Sequence, residues 1–232
     1  MATIARPHAL RQAAVRGGIR DGRVLSALER VDRATFLPAH ARARARVDHD
    51  TPIEIGHGQT TSQPSLIARI LDDLHVLPGT RLLEVGTGLG YEAMLAGVLA
   101  APRGSVVSIE RDPMLALGAR DRIEETCARP GFEHVDIEVR VGDGSLGAPD
   151  RAPFDAIIVA ATALAVPPAL EEQLADLGRL IIPIETPHGS ELLRFDRHGA
   201  RIVPAGTLGL VRYVPLVDGV VGESPRDDAE SR

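Results

Sequence analysis

Glycines at 86, 88 and 90 punctuate the stretch "LLEVGTGLGY" (82–91), a spacing that lets the backbone come close to a ligand. A dinucleotide fingerprint, G-x-G-x-x-G, would need glycine at 91, where Tyr91 stands. An acid, Glu84, lies two residues before the first glycine. The loop follows a short apolar run and opens a helical stretch, so its N–H groups face whatever lies at the helix start.

The form E-x-G-x-G-x-G is the pattern of S-adenosylmethionine (SAM) binders. SAM has no pyrophosphate, but it ends in an ammonium and a carboxylate. Loop N–H groups over Gly86, Thr87, Gly88, Leu89 and Gly90 suit the carboxylate, and Glu84 suits the ammonium. Glu110 closes the next strand, 20 residues after Gly90, where a carboxylate in a doubly wound sheet accepts from both ribose hydroxyls. "GDG" (142–144) closes a third strand and offers Asp143 to the adenine amino group, with Gly144 beside it. Three acids at three strand ends define a ligand crevice at the carboxyl edge of a sheet. The cofactor expected is SAM, with S-adenosyl-L-homocysteine (SAH) as its product.

A second concentration of small polar groups is "IEIGHGQTTSQP" (53–64). It shows neither helical nor strand periodicity and stands just before a helix. Ser62 near His57 raises serine-hydrolase chemistry, but the chain has no G-x-S-x-G elbow. His57 is read as packing within the loop. Asp48, His49 and Asp50 form "DHD", yet no second histidine lies at ligand spacing, and no metal is expected.

The elements that position these residues follow from pattern. Residues 8–46 read as helical, with Ile19, Val24, Leu28 and Val31 at helical spacing. Ser65 to His75 is an amphipathic helix with Pro64 in its first turn. Strands are expected at 80–86, 105–110, 136–143, 154–160 and 178–185, with helices at 91–100, 113–126 and 167–176. That alternation implies a parallel sheet covered on both faces. Asp155 is read as organising the start of its strand. Two last strands, 191–197 and 211–217, are expected to pair as an antiparallel hairpin on the sheet edge. The fold expected is α/β: a doubly wound Rossmann-like methyltransferase sheet with an N-terminal helical cap. The cap spans 1–50, the SAM-binding domain 51–221, and a polar, disordered tail 222–232.

The 232 residues suit one domain with a helical attachment, and a net charge of −6 gives no reason to expect a nucleic-acid partner. No apolar run suits a membrane span, and "MATIARPHAL" lacks the core of a secretion signal, so a cytoplasmic location is expected. The lone Cys127 agrees with a reducing compartment. Residues 1–46 hold ten arginines against Asp21, Glu29 and Asp32, read as solvated faces of amphipathic helices.

Taken together, "RVLSALERVDRATFLP" (23–38), "IGHGQTTSQP" (55–64), "LLEVGTGLGY" (82–91), "SIERD" (108–112), "VRVGDGSLG" (139–147), "PFDAIIVAA" (153–161), "VPPALEEQL" (166–174), "GRLIIPI" (178–184) and "VRYVPLV" (211–217) resemble the protein-L-isoaspartate O-methyltransferase family. The resemblance runs from about residue 10 to 217. It implies an enzyme that methylates the α-carboxyl of L-isoaspartyl residues, the first step in repairing damaged aspartate and asparagine. It places the catalytic serine at Ser62, flanked on the substrate side by Gln59, Thr60 and Thr61. It also places a substrate-edge strand over Val211, Arg212 and Tyr213, where a peptide would add by backbone pairing. The chain departs from the family pattern at Thr61, where isoleucine is usual, and at Leu89, where a small residue is usual. Some relatives instead methylate a normal aspartate of a dedicated ribosomal peptide, which is one alternative; a non-catalytic SAM-binding module is another. The partner expected is a peptide or protein substrate, without nucleic acid or membrane, and the chain is expected to act as a monomer.

Overall fold

A computed structural model describes residues 7–39, 41–42, 50–56 and 58–222. The chain begins with helices α1 (Pro7–Arg16), α2 (Gly22–Arg30) and α3 (Arg33–Phe36). Aspartates start the second and third. The Asp21 carboxylate accepts from the Arg23 N–H and the Asp32 carboxylate from the Ala34 N–H, each satisfying a donor the helix leaves over. The helical spacing holds only in part: Val24 and Leu28 lie on the buried face of α2, while Ile19 and Val31, also buried, flank that helix on either side. Their cluster is continuous with Ile67 and Leu71 of a later helix and with Leu82 of the sheet, so the N-terminal helices complete the main core. The helical reading of 43–46 lies outside the described residues.

The expected irregular stretch before Pro64 is in part a hairpin. Strands β1 (Ile53–Gly56) and β2 (Gln59–Thr61) pair antiparallel, Ile53 opposite Thr61. Ile53 and Ile55 are buried while Glu54 and Gly56 are exposed. Four residues of alternation are too few to stand out in a sequence, but they suffice to fold the strand onto the core. Helix α4 (Pro64–Asp73) follows with Pro64 in its first turn, as expected.

The central sheet has seven strands in the order β5-β4-β3-β6-β7-β8-β9. They are β3 (Arg81–Val85), β4 (Ser105–Glu110), β5 (Ile137–Val141), β6 (Phe154–Val159), β7 (Leu174–Thr186), β8 (Gly189–His198) and β9 (Arg201–Val211). The first five are parallel and the last two antiparallel. Helices α5 (Tyr91–Ala100), α6 (Pro113–Cys127) and α7 (Pro168–Gln173) connect them. The order runs outward from β3 to β4 and β5, then returns to β6 on the other side of β3. That reversal opens a crevice at the carboxyl ends of β3 and β6. Asp155 does organise a strand start: its carboxylate accepts from the Arg81 N–H at 2.8 Å, tying β6 to β3.

Two boundaries differ from expectation. The helix expected at 167–176 ends at Gln173, because Leu174 pairs with Phe154 and is buried as the first residue of β7. Residues up to Arg179 bulge outward with Leu177 at φ 61°. The hairpin partner of β8 is β9, not 211–217. Residues after Val211 leave the sheet and cross its carboxyl edge. No helix among the described residues is long and apolar enough to cross a membrane.

Candidate active site

A cavity of about 330 Å³ opens at the crevice between β3 and β6. Its size lies within the roughly 300–1,000 Å³ of small-molecule sites. One wall is the β2 strand and the residues after it, from Gln59 to Ser62; another is the glycine turn from Gly86 to Leu89; Glu110 and Gly144 close the far side. The segment after β9 supplies the remaining cover, through Tyr213 to Val217.

The glycines are there because side chains do not fit. Gly86 has φ +98°, and a Cβ on it would meet the Ala160 Cβ at 3.2 Å, where the ends of β3 and β6 pass each other. Gly144 is tighter: a Cβ there would lie 2.2 Å from Val85 Cγ1. Gly90 serves packing. It caps α5 at φ 86°, with α6 residues Ile123 and Ala119 pressed against it, and it does not line the cavity.

Glu110 stands where the sequence reading put it, on the cavity wall at the end of β4. Its two oxygens hold the turns in place, one accepting from the Gly88 N–H at 2.9 Å and the other from the Asp112 N–H at 3.0 Å. A carboxylate has about four acceptor positions, so both oxygens keep capacity for a ligand.

Glu84 does not line the cavity. Strand alternation turns Leu83 and Val85 to one face of the sheet and Glu84 to the other, the face that α5 covers. There it is fully buried and accepts from the Ser108 hydroxyl, which lies 2.6 Å from the Thr87 hydroxyl. Burial pushes its carboxyl well above the ordinary range, and the nearby Glu92 adds to the shift. Glu84 therefore stands beneath the turn, joined to Thr87 through the Ser108 hydroxyl, and not on the cavity wall.

Asp143 also differs from expectation. One oxygen accepts from the Ser145 N–H and hydroxyl, and the other from the Gly219 N–H at 2.7 Å. The carboxylate thus ties the C-terminal segment down instead of facing the cavity, while its neighbour Gly144 does line it.

The stretch "VRYVPLV" is a roof, not an edge strand. The Thr162 N–H donates to the Val214 carbonyl at 2.8 Å, and the Leu216 N–H donates back to the Thr162 carbonyl at 2.7 Å. Further on, the Val221 N–H donates to the Arg111 carbonyl, and Arg111 Nε donates to the Gly219 carbonyl. The Val214 carbonyl is thus committed to Thr162 and not open to an incoming peptide. Val211 ends β9 opposite Ser190, and Arg212 is exposed; neither lines the cavity. Tyr213 does, and the Ser62 hydroxyl donates to its hydroxyl at 3.2 Å.

Residues that sequence reasoning passed over hold Ser62 in place. Arg33, buried in α3, donates through Nη2 to the Thr51 carbonyl at 3.0 Å and to the Ser62 carbonyl at 3.1 Å. Asp50 accepts from the Ser65 N–H at 2.8 Å and from Gln63 Nε2 at 2.9 Å. The aspartate of "DHD" therefore caps the start of α4, and among the described residues no cluster suits a metal ion. Asp48, His49 and His57 lie outside the described residues. Tyr91 packs its ring 5.7 Å from that of Phe36, joining α3 to the glycine turn.

Glu92 was missed as well. It lines the cavity from the first turn of α5, is 8% exposed, and its Oε1 has no hydrogen-bond partner among the described residues. Burial raises its carboxyl to about 8. Its helical position hid it, since an acid in a first turn ordinarily reads as dipole compensation.

Comparison with known proteins agrees with this geometry. Residues 6–221 match the family model described as protein-L-isoaspartate(D-aspartate) O-methyltransferase. A protein-L-isoaspartate O-methyltransferase from Methylorubrum populi is 44% identical over 220 residues, covering 95% of this chain and 98% of its own. Protein-L-isoaspartate O-methyltransferase 2 from Marinobacter nauticus is 46% identical over 201 residues, covering 86% and 87%. Among solved structures, a Plasmodium falciparum protein-L-isoaspartate O-methyltransferase in complex with SAH superposes with a TM-score of 0.79 at 26% identity, covering 93% of this chain and 99% of that one. The cavity at the carboxyl edge, the glycine turn and the serine opposite it thus sit in a chain that belongs to the protein-L-isoaspartate(D-aspartate) O-methyltransferase family.

Proposed function

We infer that this chain transfers the sulfonium methyl group of SAM to the α-carboxylate of L-isoaspartyl residues in damaged proteins and peptides. The observation that carries the reading is a cavity in which the Ser62–Tyr213 pair faces the glycine turn and Glu110. The donor set suits SAM: close-approach glycines and a carboxylate with spare acceptor capacity at the end of β4. In this reading Gly86, Thr87, Gly88 and Leu89 take the amino-acid end of SAM, Glu110 the ribose hydroxyls, and Gly144 the base. Bound SAM supplies an electrophilic methyl group on a positively charged sulfur.

The chain's own residues have a positioning task. An α-carboxylate is ionised at neutral pH, with a reference pKa of roughly 3.5, so its oxygen attacks without a general base. The barrier is lowered by holding that oxygen in line with the carbon–sulfur bond. A neutral hydroxyl does this better than a cation, which would compete with the sulfonium for the carboxylate. Ser62 donates to the carboxylate, and Tyr213, whose hydroxyl proton can rotate, turns from acceptor to donor and holds Ser62 Oγ from behind. Gln59, Thr60 and Thr61 line the approach for the peptide. The ester formed is better at cyclising to a succinimide than the free acid; loss of methanol and hydrolysis of the ring then return part of the chain to normal aspartate.

The test is to incubate the protein with methyl-labelled SAM and a peptide carrying L-isoaspartate, and to count methanol released by base. Labelled methanol supports the reading. Its absence, with SAM binding shown by calorimetry, points away from isoaspartyl methylation.

A further inference from the structure

SAM carries a positively charged sulfur and SAH does not, so a site that turns over must separate two ligands that are otherwise nearly alike. The cavity holds an unexplained acid that bears on this. Glu92 lines it from the first turn of α5, is 8% exposed, and leaves Oε1 unpartnered among the described residues. A buried carboxyl oxygen without a hydrogen-bond partner is costly and calls for a reason. The titratable groups that act with it are Glu84 from β3 and Tyr213 from the segment after β9. Glu110 of β4 acts on Glu84 in turn, and Arg33 of α3 acts on Tyr91 beside Glu92. Glu84 is an acid and Tyr213 a phenol, Arg111 lines the same cavity, and burial is what holds Glu92 toward its neutral form.

We propose that Glu92 is a proton-switched counter-charge through which the site prefers SAM to SAH. The inference rests on the reading of the cavity as a SAM site. SAM entering the cavity brings a net positive charge; Glu92 gives its proton to solvent and the carboxylate remains beside the cation. Methyl transfer then joins the substrate carboxylate oxygen to the methyl carbon and leaves the electron pair on sulfur, so the sulfonium becomes a neutral thioether. Glu92 is left as a buried, uncompensated anion and takes a proton back from solvent. That loss of attraction loosens the product. The neutral starting state agrees with burial holding the Glu92 carboxyl at about 8.

The test is calorimetric titration of the intact protein with SAM and with SAH, each in two buffers of different ionisation enthalpy at pH 7. The expected result is release of close to one proton per SAM and of none per SAH. The SAM-to-SAH affinity ratio then rises by up to about tenfold per pH unit between pH 6 and 8. Glu92→Gln is expected to abolish the proton release and flatten the ratio. SAM binding with no proton release, or a ratio indifferent to pH, overturns the switch while leaving the SAM site intact. Proton release that persists in Glu92→Gln overturns the assignment to Glu92. Failure of the wild-type protein to bind SAM overturns the SAM site itself and the switch with it. The wild-type titrations decide the matter even where the variant does not fold.

Discussion

The hydroxyls of Ser62 and Tyr213 meet at 3.2 Å across 151 positions of sequence, joining the loop before α4 to the segment that roofs the cavity. The bond ties the reacting side of the site to the element that covers it. Tyr213→Phe keeps the ring and removes the hydroxyl. We expect kcat to fall by about fivefold, the worth of one neutral hydrogen bond of roughly 1 kcal/mol. SAM affinity, read by calorimetry, is expected to stay within error; a variant with full kcat contradicts the supporting role.

Ser62→Ala removes the donor itself. Loss of one oriented donor to a reacting oxygen costs about a hundredfold or more in kcat. Since Ser62 is assigned to the peptide side, SAM affinity should hold while methyl ester formation drops. Equal losses in both would place Ser62 with the cofactor instead.

Gly144 is held against Val85, with no room for a methyl group. Gly144→Ala forces the end of β5 away from β3, and overpacking of this kind costs about 1–3 kcal/mol. A lower melting temperature is expected together with weaker SAM binding. An unchanged melting curve would show that the close approach is not maintained in solution.

Two buried acids give the ligand-free protein a distinctive pH dependence. Burial raises the carboxyls of Glu84 and Glu92 above the ordinary 4.5, Glu92 to about 8. The folded state thus binds protons that the unfolded chain releases, and stability from these groups is present below pH ~4.5 and lost as pH rises toward 8. Melting temperature measured from pH 5 to 8.5 should therefore decline through these groups, and Glu92→Gln should gain on the wild type as pH rises. A constant difference between the two proteins across that range would contradict the shift.

Much of this was legible because strand and helix periods are local. The five parallel strands, α4 and its Pro64, and Glu110 at the end of β4 all follow from patterns a few residues long. The glycine turn was legible for the same reason. What stayed hidden depends on long-range pairing. Asp143 looks identical in sequence whether it faces a ligand or the Gly219 N–H, 76 positions away. Residues 211–217 carry a strand-like pattern, yet the Thr162 backbone captures Val214 and Leu216 and draws them over the cavity.

Side-chain direction hid the rest. Glu84 sits in the expected position, but the two-residue period of β3 turns it under the loop, into the layer that also contains Glu92. Arg33 reads as one more arginine of a basic N-terminus. Only the folded chain shows it buried, with its guanidinium on the Thr51 and Ser62 carbonyls.

The central claim is that the Ser62 site esterifies isoaspartate and not ordinary aspartate. The most direct measurement is kcat/KM for two synthetic peptides that differ only in whether one aspartyl residue is linked through its side-chain or its α-carboxyl. Labelled SAM is the methyl donor, and mass spectrometry locates the ester. Methylation of the isoaspartyl peptide at its α-carboxyl is expected, with background label on its twin. Equal labelling of both peptides, or preference for the normal aspartyl form, would contradict it.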